Sequence, residues 1–337
     1  MTRRRRFLSM LAGAGGAAGL GLWHALEDAR PPGLELVRRS ARALGAEVTV
    51  VALHASRSRA ARAVDCALRE LERVDEVMSL YRPDSEVSRL NRHRVLENPH
   101  PYLVSVLWHA QRVSLASAGA FDVTVQPLWE LYAGAVDQGR LPDDGEIEAV
   151  RRRVDYRRLE LLPGRVRLRG EGTRVTLNGI AQGLATDVAL AALRRHGVEN
   201  ALVDCGELGA LGRKQDGEPW TAGIRHPRRA NDLVWIAGSD GRCMATSGDY
   251  ETFFTPDRRC HHIFDPATGR SPQTFSGVTV LARSGMEADA LSTAAFVLGL
   301  PEGLRLIEGW PGADALFVLK DERVLATTGF PGGRPSA

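Results

Sequence analysis

The chain has 337 residues, 44% hydrophobic and 25% charged, with 35 Gly and 17 Pro, a mixture that excludes disordered, collagen-like and coiled-coil chains. Its 44 Lys+Arg against 41 Asp+Glu leave a formal charge of +3, which gives no electrostatic case for nucleic acid. Lys214 and Lys320 are the only lysines, a bias best ascribed to codon usage. The length allows about two domains.

Residues 1–29 read as an address. Arg3–Arg6, then Phe7-Leu8 and a Gly- and Ala-rich run to Leu22, give a charged n-region and an apolar h-region. Arg4-Arg5-Arg6-Phe7-Leu8 matches the R-R-x-F-L core of the twin-arginine export signal, which predicts a periplasmic protein. A basic tail before a short buried helix is the plainer alternative, but Gly-rich stretches make poor helices. Cleavage is expected near Ala25 or Ala29. The first cysteine is Cys66, which argues against a lipid anchor, and no later run is apolar enough to span a bilayer.

The remainder alternates helices and strands. Glu47–Leu53 reads as a strand. Ser58–Ser79 carries apolar residues at helical spacing, as do Tyr102–Ala118 and Ile147–Arg153. Leu159–Leu162, Arg165–Leu168 and Val175–Leu177 read as strands between Gly-containing turns. Leu184–His196 is helical with Gly197 as C-cap, and Ala201–Asp204 is a buried-type strand. Trp220–Ile224, Val234–Ala237 and Val278–Ala282 are further strands. Ala288–Leu298 is a helix, and Ala315–Leu319 with Val324–Thr327 forms a terminal hairpin. Not every helix separates two strands, so the pattern predicts an α+β fold. With Pro83–Pro101 as the longest linker, residues 34–330 are expected to form one compact two-lobed unit. Cys66, Cys205, Cys243 and Cys260 lack zinc-ligand spacing; a Cys243–Cys260 disulfide across a hairpin and buried free thiols both remain open.

Three segments carry the chemistry: Met78–Asn91 (MSLYRPDSEVSRLN) with Gly119–Leu131 (GAFDVTVQPLWEL); Thr176–Asp187 (TLNGIAQGLATD); and Ala245–Phe254 (ATSGDYETFF) with His262–Gly269 (HIFDPATG) and Glu287–Thr293 (EADALST). Asp289 and Thr293, at i and i+4, share a helix face. A carboxylate and a hydroxyl suit a hard cation such as Mg²⁺, although a cap and a packed threonine would look the same. Gly179 and Gly183 flank a helix entrance whose N–H groups could approach phosphate; alone, the pair is a turn or packing feature. Asp187 could equally complement the helix dipole. Thr246-Ser247-Gly248 clusters hydroxyls but also fits a polar turn. Phe121-Asp122 fits a core aromatic beside a surface acid. His262 is the best side-chain base, because histidine titrates near neutrality.

In this order and spacing the set resembles the ApbE family, the FAD:protein FMN transferases, from about Glu47 to about Val324. The resemblance implies an ApbE-like arrangement of mixed sheets flanked by helices. It also implies an enzyme that splits FAD with Mg²⁺, releases AMP and attaches FMN to a Thr or Ser hydroxyl of a partner protein. The partner would be an acceptor in an extracytoplasmic electron-transfer system. Carried over, Asp289 and Thr293 are metal ligands, joined by main chain at Gly179 and near Ser292. Tyr81, Ala120, Phe121, Asp122, Thr176, Gln182, Asp187, Thr246, Ser247, Gly248 and His262 fall at FAD-binding positions. His262 and Asp289 carry catalysis. His261 has no counterpart and is expected to be structural or exposed.

This sequence departs from the family pattern in three places. Where many members read D-L-G-[AG]-I-A-K-G, Thr176 replaces the acid and Gln182 the lysine, and Glu207 follows Gly206 where a second glycine is usual. Removing an acid and a base together leaves no unpaired charge. Two other functions stand beside the transferase: a metal-dependent FAD pyrophosphatase, which would use the same metal and leaving group, and, motivated by Thr176, Gln182 and Glu207, a non-catalytic FAD-binding or flavin-delivery protein.

Overall fold

The computed structural model describes Leu20–Gly21 and residues 33–229 and 231–335; the twin-arginine motif and both cleavage sites lie outside the described residues. The α+β expectation holds. An eight-stranded antiparallel sheet has the order β14-β13-β12-β11-β8-β7-β3-β2. Its strands are β2 (Glu35–Ala43), β3 (Ala46–His54), β7 (Asn200–Asp204), β8 (Leu208–Leu211), β11 (Cys243–Gly248), β12 (Phe275–Ala282), β13 (Asp314–Leu319) and β14 (Val324–Ala326). Strands from both ends of the sequence thus share one ladder.

Alternation along β3 shows why both faces are covered, since successive strand residues point to opposite sides. Val48, Val50 and Ala52 enter a core with the helices. Val51 and Leu53 enter a second core with Trp220, Ile224 and Val234. The helices are α1 (Arg57–Met78), α2 (Glu86–His93), α3 (Pro101–Ala116), α4 (Gln126–Asp137), α5 (Asp144–Arg151), α6 (Ala181–Arg195), α7 (Gly285–Leu298) and α8 (Glu302–Glu308). Helices α1, α6 and α7 supply most of the helical side of the first core. On the other face lies the sheet β1-β9-β10 (Leu20–Gly21, Thr221–Arg225, Leu233–Gly238). A third sheet, β4-β6-β5 (Val95–Glu97, Arg165–Leu168, Leu159–Leu162), packs Leu96, Leu159, Val166 and Leu168 into the first core.

The structure corrects several expectations. Val175–Leu177 is not a strand: the Asn91 side chain takes both main-chain groups of Val175, at 2.7 and 2.8 Å, so no ladder forms before the turn into α6. Pro83–Pro101 is not a linker but contains α2 and β4. All four cysteines are free, because β11 pairs with β12 and β8 rather than forming a hairpin that returns at Cys260. Helix α7 starts at Gly285, capped by Ser284, one turn before the apolar pattern shows it.

Candidate active site

A cavity of about 420 Å³ opens among the ends of these elements, within the range of small-molecule sites. Its lining comes from the β2–β3 turn (Leu44, Gly45), the segment after α1 (Ser79–Tyr81), the turn before α4 (Ala120–Val123), the entrance of α6 (Thr176, Asn178, Gly179, Gln182), β11 (Thr246–Gly248), the loop before β12 (Thr252, His262–Phe264) and α7 (Asp289, Thr293). Three segments far apart in sequence therefore meet at one place.

One corner is built from oxygen. Thr293 Oγ1 lies 2.9 Å from Ser247 Oγ, which lies 2.7 Å from Ser292 Oγ. Ser292 in turn donates to the Asp289 carbonyl at 2.8 Å; it is fully buried and does not line the cavity. Gly179 approaches so closely that a Cβ there would stand 3.0 Å from Thr293 Oγ1 and 3.4 Å from the Phe121 ring. Asp289 Oδ2 accepts the Gly183 N–H at 3.0 Å. Burial raises its carboxyl to about 7, and no basic group acts on it among the described residues. A buried carboxylate beside hydroxyls, with a cradle that a side chain would fill, fits a hard divalent cation. Among the described residues no group of three His, Cys, Asp or Glu could hold a metal, so an ion here would depend on hydroxyl, main-chain and substrate oxygens as well.

The entrance of α6 works differently from the sequence expectation. The Gly183 amide is committed to Asp289, and those of Ala181 and Leu184 to Leu177 and Ile180 carbonyls. Gly183 instead permits a helix crossing: a Cβ on it would lie 2.3 Å from the Gly285 carbonyl oxygen. Asp187 does not line the cavity. Its carboxylate caps α7, accepting from the Gly285 and Met286 amides at 2.6 and 3.0 Å, while burial raises it to about 6. A neighbouring helix needed those two acceptors, which no local pattern could show.

The other walls carry aromatic rings and a histidine. Tyr81 stands at the rim, 63% exposed, and Phe121 is buried in the wall. Trp129 of α4, absent from the sequence expectation, also lines the cavity; the run Gln126-Pro127-Leu128-Trp129 opens its helix. Asp122 reaches the lining, but its oxygens are occupied. Oδ1 accepts from the Thr124 amide and hydroxyl at 2.7 and 2.6 Å, and Oδ2 from the Tyr156 amide at 2.8 Å. It holds a turn together, and burial raises it to about 6. Thr176 and Gln182 line the cavity, and the Gln182 amide covers Gly206 so closely that a Cβ there would meet Nε2 at 2.7 Å.

His262 faces the cavity with Nδ1 2.9 Å from the Thr252 carbonyl, and burial lowers its pKa. His261 is structural: it is fully buried, with Nε2 3.1 Å from the Pro272 carbonyl and its ring edge on Phe296. Glu207 is buried, lines the cavity and accepts the Thr246 amide at 3.1 Å. Burial and the nearby Asp289 charge hold its carboxyl well above the ordinary value.

Residues 44–317 match the family described as the ApbE family. The chain is 36% identical over 252 residues to the FAD:protein FMN transferase of Vibrio cholerae, covering 71% of this chain and 74% of that one. It is 33% identical over 301 residues to the enzyme of the same name from Treponema pallidum, covering 81% and 82%. Among solved structures, the flavin transferase ApbE from Vibrio cholerae superposes with a TM-score of 0.76 at 29% identity, over 88% of this chain and 98% of that one. The apo form of Pseudomonas stutzeri flavinyl transferase ApbE gives 0.76 at 31% identity, over 88% and 95%.

Proposed function

The chain belongs to the ApbE family and is a flavin transferase, and from that premise we propose that its cavity binds FAD and moves FMN, with Mg²⁺, onto a Thr or Ser hydroxyl of an acceptor protein. The observation that carries this reading is the meeting of Asp289, Thr293 and Gly179 with His262 in one cavity walled by Phe121, Trp129 and Tyr81.

The divalent ion would be held by the Asp289 carboxylate and Thr293 hydroxyl beside the Gly179 main chain, and when bound it would offset charge on the pyrophosphate. Ser247 orients the Thr293 hydroxyl. Gly179 keeps the approach open, since any side chain would occupy it. The rings of Phe121 and Trp129 offer apolar faces for the flavin or adenine, and Tyr81 stands at the rim.

His262 keeps a fixed role. Because Nδ1 faces a carbonyl, it carries the proton, and Nε2 is the basic nitrogen. The acceptor hydroxyl gives its proton to Nε2 as its oxygen bonds to the FMN-side phosphorus. The bond from that phosphorus to the bridging oxygen breaks, and AMP departs with the electron pair.

The R-R-x-F-L motif supports export to the periplasm, and an acceptor in an extracytoplasmic electron-transfer system suits that compartment. No helix among the described residues is long and apolar enough to cross a membrane. The test is incubation of the mature protein with FAD, Mg²⁺ and a candidate flavin-acceptor domain. In-gel flavin fluorescence on the acceptor with release of AMP supports transfer. Free FMN with AMP and no labelled acceptor indicates hydrolysis, and neither product indicates a flavin-binding protein.

A further inference from the structure

Two buried carboxylates face this cavity, and neither forms an ion pair among the described residues. Asp289 is 3% exposed and Glu207 5%, and both line the cavity. Each is anchored by one oxygen only: Asp289 Oδ2 by the Gly183 amide at 3.0 Å, Glu207 Oε2 by the Thr246 amide at 3.1 Å. No hydrogen bond reaches the other oxygen of either among the described residues.

The backbone fixes Glu207 as firmly as its side chain. Its carbonyl accepts the Thr186 hydroxyl and the Cys205 amide, both at 3.0 Å, and Gly206 turns the chain into it at φ 93°. Its anchor, Thr246, directly precedes Ser247, the residue bonded to the Thr293 hydroxyl. Glu207 is therefore tied to both elements, α6 and β11, that hold the Asp289 and Thr293 corner.

The surrounding charges single out this pair. Asp187 spends both oxygens on the α7 amides. Asp204 and Glu251 also face this region, but each has a basic neighbour: Arg225 and Arg38 for Asp204, Arg225 for Glu251. Among the described residues, the charged groups acting on Glu207 and Asp289 are acids: Asp289, Asp204 and Glu251 for Glu207, and Asp187 for Asp289. Burying two carboxylates in the wall of one cavity without a basic partner is unfavourable unless a proton or a cation joins them. Magnesium sites typically combine one or two carboxylates with substrate phosphates.

We propose that Glu207 is the second carboxylate of the divalent-cation site, completing the donor set of Asp289 and Thr293. This inference rests on the Mg²⁺ reading above, and its test separates the two. Mn²⁺ serves as the probe, with binding to the FAD-free mature protein measured by the EPR signal of the free ion. Thermal unfolding is followed with and without the metal.

Wild type is expected to show one saturable site and an Mn²⁺-dependent rise in Tm. Glu207→Gln should weaken Mn²⁺ binding at least tenfold, shrink that rise, and leave the metal-free Tm unchanged or higher, because a neutral amide of the same shape replaces a buried carboxyl that has no basic partner. Glu207→Asp should keep native near-UV circular dichroism and bind with intermediate affinity. Should Glu207→Gln fail to fold, Glu207→Asp carries the test. Wild-type Mn²⁺ affinity in a folded Glu207 variant, with binding lost in Asp289→Asn, overturns the role of Glu207 alone. Undiminished binding in Asp289→Asn, or no saturable site in wild type, overturns the cation site itself.

Discussion

The Nδ1 atom of His262 lies 2.9 Å from the carbonyl oxygen of Thr252, a contact that fixes the tautomer and leaves Nε2 as the ring's basic nitrogen. Burial lowers the pKa of this ring below its ordinary value of 6.5, so His262 is neutral at pH 7. The acid limb of kcat/KM for FMN transfer should therefore have its midpoint below 6.5 and vanish in His262→Gln. That variant should lose about 10²- to 10⁴-fold in kcat, the usual worth of a general base, with FAD affinity nearly kept. A loss confined to KM would reassign His262 to binding.

Gly179→Ala isolates the cradle. The added Cβ would press on Thr293 Oγ1 at 3.0 Å, a contact that a small shift relieves. Urea unfolding should show a stability change within about 1 kcal/mol, while AMP release from FAD falls at least tenfold. Unchanged turnover would show that the pyrophosphate lies elsewhere.

The contact between α6 and α7 sets the register of the cation corner, and two substitutions probe it. Asp187→Ala leaves the Gly285 and Met286 amides without their acceptors, at a cost of about 1–3 kcal/mol. Gly183→Ala forces a Cβ to within 2.3 Å of the Gly285 carbonyl oxygen, and overpacking of this kind costs roughly 1–3 kcal/mol or more. Denaturant midpoints measure both. FAD affinity per folded molecule should survive Asp187→Ala, since Asp187 is outside the cavity lining.

Asp122 makes stability depend on pH in an unusual direction. Its carboxyl is raised from 3.8 to about 6 by burial, so the folded state holds the proton more tightly than the unfolded chain. The stabilisation is full below about pH 4 and is lost as pH rises through about 6. Lowering the pH from 7.5 to 4.5 should favour wild type over Asp122→Asn by about 2 kcal/mol. Paired urea titrations at the two pH values would show it, and a difference of opposite sign would mean that Asp122 stays ionised in the fold.

The alternation of elements and the family are legible in the residues alone, because apolar periodicity and motif spacing are local properties. Ser58–Ser79 reads as a helix and Glu47–Leu53 as a strand on their own residues, and Asp289 and Thr293 share a helix face whatever surrounds them. Which polar groups remain available to a ligand depends on the folded arrangement. Asp122 and Asp187 look like cofactor contacts in the sequence, yet their oxygens are consumed by amides at Thr124, Tyr156, Gly285 and Met286. Gly183 reads as a phosphate turn but serves a helix crossing. Glu207, an irregularity in the motif, becomes a buried acid near Asp289. The reason is physical: a side chain's chemistry depends on its partners, and those partners can be distant in sequence, as Gly183 is 106 residues from Asp289.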